Sequence, residues 1–142
     1  MSEQNKQVAL KFIKAMGDND PVAAAACLAP DAVAVATGNS HFKGTRDARM
    51  MIDGIEAFKS LIPAGLAFTI LSAVAEGDQV AVECEGNATT CAGTAYCNKY
   101  VFFIKLRGGK IILVNEYFCT VLANEVLWPL AQSAAGLGET AA

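Results

Sequence analysis

Residues 96–120, YCNKYVFFIKLRGGKIILVNEYFCT, constrain the fold more than any other stretch of the chain. Two apolar, β-prone runs flank Gly108-Gly109. Two adjacent residues that both accept positive φ, set between such runs, predict a tight β-hairpin. A two-residue turn places Glu116 opposite Val101, with Phe103, Val114 and Phe118 on its face and Lys99 and Lys105 near the ends. A carboxylate in an apolar strand is costly unless it is paired or functional, so Glu116 is the first candidate for chemistry. The alternative is a surface ion pair between Glu116 and Lys99. Both faces of the hairpin are apolar: Phe102, Ile104, Leu106, Ile111 and Leu113 on one, Val101, Phe103, Ile112 and Val114 on the other. Helices on one side of a sheet cover one face, so the second face is expected to be buried in a homodimer.

Upstream, Val8, Phe12 and Met16 share one helical face, with Ala9 and Ile13 beside them and Lys6, Lys11 and Lys14 elsewhere. This predicts an amphipathic first helix ended by Gly17. Asp20-Pro21 reads as a cap with proline at the first helical position, opening a short alanine-rich helix over Val22 to Leu28 that Pro30 stops. Ala32 to Thr37 is a strand candidate, and Gly38 to Gly44 a loop. Thr45 is expected to cap a third helix through Ile62, with Met51, Ile55, Phe58 and Ile62 on its apolar face and Pro63 at its end. Leu66 to Ala75 and Val80 to Cys91 read as strands around a Gly77-Asp78 turn, followed by the hairpin and a helical turn over Val121 to Leu130. The order predicts an α+β fold with helices on one face of a mostly antiparallel sheet. Residues 1–131 are expected to form a single domain, with residues 132–142 as a flexible tail.

The 142 residues suffice for one domain with a single core. The chain is 54% hydrophobic and 18% charged, with a mean hydropathy of +0.35. That apolar balance points to an oligomer interface, an internal cavity, or both. A net charge of −3 and eleven scattered Lys and Arg argue against a nucleic-acid partner. No segment approaches the roughly 18 continuous apolar residues of a membrane span. The N-terminus carries helix-periodic rather than continuous apolar residues, unlike a signal peptide, so a cytoplasmic location is expected. Five cysteines are read as reduced thiols, with Cys84, Cys91, Cys97 and Cys119 filling space as small apolar side chains. The spacings of Cys84, Cys91, Cys97 and Cys119 match no zinc pattern, and one histidine cannot complete a common site. No metal and no cofactor are expected.

The element order and the hairpin resemble the ketosteroid isomerase-like, SnoaL-like polyketide cyclase group of the nuclear transport factor 2-like superfamily. The residues carrying the resemblance are Tyr96-Cys97-Asn98-Lys99-Tyr100, Gly109-Lys110-Ile111 and Glu116-Tyr117-Phe118-Cys119-Thr120, with Phe42-Lys43-Gly44 as a weaker match. The resemblance implies a strongly curved sheet wrapped around the N-terminal helices, a cone closed around an internal apolar pocket. It also implies that Glu116 takes part in the pocket's chemistry, since phenazine-type and epoxide-hydrolase-type members carry an acidic residue at the matching position. Many relatives carry an aspartate three residues after the glutamate; this chain has Cys119.

Several other residues bear on a site. Glu83 and Glu85 share a strand face and read as a solvated surface. His41 is a loop histidine that can rim the pocket and is a second catalytic candidate. Ser40 forms no nucleophile elbow, since no Gly-x-Ser-x-Gly is present. Phe12, Met16, Phe58, Val101, Phe103, Val114, Phe118 and Trp128 are the candidate ligand-binding residues, with Trp128 expected, from the resemblance, to lid the cone. Two functions stay open: cofactor-independent acid/base catalysis on a small hydrophobic molecule, of isomerase, cyclase or epoxide-hydrolase type, or non-catalytic binding or dimerisation by the same fold.

Overall fold

The structure, a computed structural model, describes residues 1–135. Three N-terminal helices lie on one face of a six-stranded sheet. Helix α1 (Ser2–Gly17) buries Ala9, Phe12 and Ile13, the apolar face of its sequence, against the sheet. Helix α2 (Pro21–Cys27) begins as the sequence predicts, with Asp20 accepting a hydrogen bond from the Ala23 N–H at 3.0 Å and proline at the first position. Strand β1 (Leu28–Ala36) follows at once, starting earlier than expected.

Residues 44–47 depart from expectation. Instead of opening a helix at Thr45, they form a short edge strand β2 (Gly44–Asp47) paired antiparallel with β1. Asp47 then caps α3 (Ala48–Phe58), accepting from the Met50 N–H at 2.9 Å. That helix ends at Phe58, four residues before the expected end, and Ile62 packs from the turn beyond it.

Strands β3 (Ala67–Glu76), β4 (Gln79–Thr89), β5 (Ala95–Arg107) and β6 (Lys110–Phe118) form an antiparallel meander. The sheet order is β2-β1-β6-β5-β4-β3, and β1 with β6 is its one parallel pair. Gly108 and Gly109 have φ of 58° and 78°, as a tight hairpin turn requires.

The hairpin departs from a simple two-residue register in one place. Arg107 pairs with Lys110 and Leu106 with Ile111, but Lys105 pairs with Leu113. Ile112 is thus one extra residue on β6, a β-bulge. Since strand side chains alternate between faces, one extra residue moves everything beyond it to the opposite face. Glu116 therefore pairs with Phe102, which is fully buried, rather than with Val101, which is 40% exposed. Val114 and Phe118 turn inward with Glu116, while Val101 and Phe103 stay on the outer face.

The C-terminal segment comprises α4 (Thr120–Leu122), a π-helical stretch (Ala123–Leu127) and α5 (Trp128–Ala135). Residues 132–135, expected to be tail, continue α5; the rest of that expected tail lies outside the described residues. Of the five cysteines, all free, Cys27 and Cys84 are buried; Cys91, Cys97 and Cys119 are exposed and fill no core space.

Candidate functional site

Helices and sheet do not meet everywhere. Between them lies a cavity of about 190 Å³. Its floor is Phe12 and Met16 of α1, and one wall is Met51, Ile55 and Phe58 of α3. The sheet contributes Ala34 and Ala36 of β1, Phe68 of β3, Tyr96 and Tyr100 of β5, and Val114, Glu116 and Phe118 of β6. Ala123 and Leu127, from the C-terminal helical segment, line the opposite end. The space exists partly because Ala36, the neighbour of Glu116 on β1, is too small to fill it.

Glu116 is held by its backbone. Its carbonyl accepts from both the N–H and the hydroxyl of Thr37, at 3.0 and 2.8 Å. Its carboxyl makes no hydrogen bond or ion pair among the described residues, and the residue lines the cavity. Burial raises its pKa from the ordinary 4.5 to about 7, opposed in part by the charge of Arg46. Arg46, also a lining residue, is anchored by donation from Nη2 to the Phe42 carbonyl at 2.8 Å. The surface-pair alternative does not hold: Lys99 sits on the outer face beside Glu85, at 3.6 Å.

Near Glu116 on the inner face is a polar group set among aromatics. The hydroxyls of Tyr96 and Tyr100 lie 2.8 Å apart, and Asn98 Nδ2 donates to Tyr96 Oη at 2.8 Å. Asn98 also bridges to the end of β6. Its Oδ1 accepts from the Lys99 and Cys119 N–H groups at 2.7 and 3.1 Å, and its Nδ2 donates to the Cys119 carbonyl at 3.1 Å. The Tyr100 ring stacks on Phe102 with centroids 5.6 Å apart and meets Phe68 edge-on at 5.4 Å. Burial pushes the acidity of both phenols down, most for Tyr100. Gly86 makes room for this arrangement, since a Cβ there would sit 3.1 Å from the Tyr100 ring and 3.0 Å from Leu66.

Of the residues singled out from sequence, Phe12, Met16, Phe58, Val114, Glu116 and Phe118 line the cavity together. Val101 and Phe103 do not, because of the bulge at Ile112. His41 is exposed and packs at a tilt against Trp128 with ring centroids 5.2 Å apart, and its backbone N–H donates to Asn124 Oδ1 at 2.8 Å. Neither His41 nor Trp128 lines the cavity. Leu127 faces it instead, and Trp128 backs the lining residue Phe42, edge-on at 5.2 Å. Sequence reasoning missed Arg46, Tyr96, Asn98 and Tyr100. The last three share the β5 alternation of Phe102, Ile104 and Leu106, and polar groups continuing a core-facing series were the available signal.

Among the described residues no three His, Cys, Asp or Glu side chains gather where they could hold a metal ion, and no helix is long and apolar enough to cross a membrane.

The profile of the SnoaL-like domain family matches residues 9–114. No curated protein matches the chain by sequence. Among solved structures, the fold matches an NTF2-like protein of unknown function from Burkholderia pseudomallei, 20% identical, over 90% of this chain and 99% of that one, with a TM-score of 0.77. It matches a protein of ketosteroid isomerase-like fold from Catenulispora acidiphila, in complex with trimethylamine, at 20% identity over 83% and 91% of the two chains, TM-score 0.70. It also matches an LEH-like epoxide hydrolase from M. tuberculosis at 16% identity over 94% and 97%, TM-score 0.71. At these identities the likeness is one of fold.

Proposed function

The chain belongs to the SnoaL-like domain family, and from that membership we propose that it binds a small, mostly hydrophobic molecule in the internal cavity and that Glu116 exchanges a proton with it. The supporting observation is a lone carboxyl in an apolar chamber whose pKa, near 7, lets it both give and take a proton at neutral pH. Isomerisation, cyclisation and epoxide opening are the reaction types that one such group serves without a metal or redox cofactor. Fold neighbours include an LEH-like epoxide hydrolase, which fits this range, and a protein of ketosteroid isomerase-like fold.

The test is a panel of pocket-sized epoxides, enones and polyketide-like substrates run on wild type and Glu116→Gln, with melting curves alongside. We expect at least one substrate to turn over and the variant to lose about 100-fold or more. A substrate that wild type converts and Glu116→Gln converts at full rate overturns the assignment.

One observation favours a second reading, a non-catalytic binding module. Cys119 stands three residues beyond Glu116, where many relatives have an aspartate, and His41 packs against Trp128 outside the cavity, so neither assists Glu116. That reading expects ligand binding with no turnover across the panel.

We further propose that the protein is a homodimer through the outer sheet face, where Leu71, Val74, Val101 and Tyr117 are exposed. Its five free thiols suit a reducing compartment, and we place it in the cytoplasm.

A further inference from the structure

Of the three arginines, Arg46 alone has no carboxylate partner among the described residues. Arg107 pairs with Asp31 at 2.7 Å and Arg49 lies 3.8 Å from Asp53, both on the exposed surface. Arg46 is instead half-buried and lines the cavity. Asp47, next on β2, alternates to the other side of the strand and is committed to the start of α3. Glu116 forms no ion pair with Arg46, and its pKa stays raised to about 7, where a close counterion would have held it down. A guanidinium left unpaired beside an apolar chamber is costly unless something else answers its charge.

The group is also held in place. Nη2 donates to the Phe42 carbonyl at 2.8 Å, which commits one of five N–H donors and leaves enough for a two-pronged contact. Across the sheet, Arg46 pairs with Ala34, Ala34 with Val114, and Ala36 with Glu116. Arg46 and Glu116 thus stand two strands and one inward row apart, about 12 Å between Cα atoms at ordinary strand spacings. The small side chains of Ala34 and Ala36 lie between them on β1. The cavity opens beside Arg46: the lining residue Met50 is 50% exposed, and a Cβ on Gly54, one turn further along α3 and also lining, would meet nothing within 4 Å.

We infer that Arg46 is a carboxylate site, and that the cavity takes an apolar acid with its carboxylate on the guanidinium at the mouth and its apolar body reaching inward to Glu116. The planar fork suits a carboxylate; a phosphate would call on further cations, and no other cation lines the cavity. The inference rests on the cavity being the binding site and deepens that reading by naming the class of ligand.

The probes are 2-naphthoate and 2-naphthamide, which have nearly the same shape and differ in charge. At pH 6 the naphthoate is ionised while Glu116 is mainly protonated. Wild type should bind 2-naphthoate about tenfold or more tighter than 2-naphthamide, the worth of one charge-assisted contact. Arg46→Met keeps an unbranched stem without the charge; it should remove the preference and leave 2-naphthamide unchanged. Arg46→Lys keeps the charge without the fork and should retain a smaller preference. In wild type the Nε–H resonance of Arg46 should shift on binding 2-naphthoate while those of Arg49 and Arg107 stay, a reading that needs no variant to fold. If 2-naphthoate binds no tighter than 2-naphthamide, if the preference survives in Arg46→Met, or if the Arg46 resonance does not move as 2-naphthoate binds, the inference fails while cavity binding stands. If neither probe binds, the binding-site reading fails and takes this inference with it.

Discussion

Glu116 holds its proton more tightly in the folded chain than a free carboxyl does, and the excess is linked to stability. With the pKa raised by burial from 4.5 to about 7, the native state carries more protons than the unfolded state between those values. Stability therefore falls as pH rises through that window, by up to about 3 kcal/mol if the whole shift is expressed, and is unaffected by this group below it. Glutamine has no proton to lose. Glu116→Gln should match wild type at pH 4.5 and melt progressively higher than wild type toward pH 8, as thermal unfolding across the range will show; parallel curves would mean the carboxyl titrates normally. Gly86 is a second single-residue constraint. Gly86→Ala places a methyl 3.0–3.1 Å from Leu66 and Tyr100, so it should cost about 1–3 kcal/mol and displace the Tyr100 hydroxyl. Denaturant unfolding measures the cost.

At the scale of elements, what was legible in the sequence had local causes. Helix α2 starts where Asp20-Pro21 places it because cap and proline act within one turn, and α1 shows its face because its period is its own. Asp20→Ala and Asp47→Ala should each cost about 1 kcal/mol in denaturant unfolding, since each removes a side-chain acceptor from a helix N-terminus. Strand β2 was not legible: four residues with mostly exposed side chains carry no alternation, and β1, not their own sequence, makes them a strand. The bulge was hidden for a different reason. Ile111, Ile112 and Leu113 are three consecutive apolar residues, compatible with either face, so the pattern cannot say which of them is extra. The inward turn of Glu116 and the outward placement of Val101 and Phe103 were thus decided by pairing partners rather than by the strand's own pattern.

For the whole molecule, the helices and the sheet's inner face share one core, and the outer face is left with Leu71, Val74, Val101 and Tyr117 exposed among Glu83, Glu85 and Lys99. Apolar side chains ringed by charges of both signs suit a self-complementary interface. Sedimentation at micromolar concentration should give a dimer, and Tyr117→Lys should give a monomer; a wild-type monomer would refute the dimer. The thiols report on the same architecture. Cys84 is buried, with its pKa pushed up to about 11 chiefly by desolvation, and Cys27 is buried too. Mass spectrometry after brief alkylation should find both unmodified in the native protein and modified after denaturation.

The bulge at Ile112 works as a parity switch. Each residue of β6 beyond it owes its side of the sheet to whether the count from the turn is odd or even, and one inserted or deleted position reverses them all together. An internal acid in this architecture can thus be gained or lost without any change to the acid itself. Shortening the hairpin by one residue would deliver Glu116 to the surface, hand Tyr117 to the chamber, and exchange its carboxyl for a third phenol in a single step.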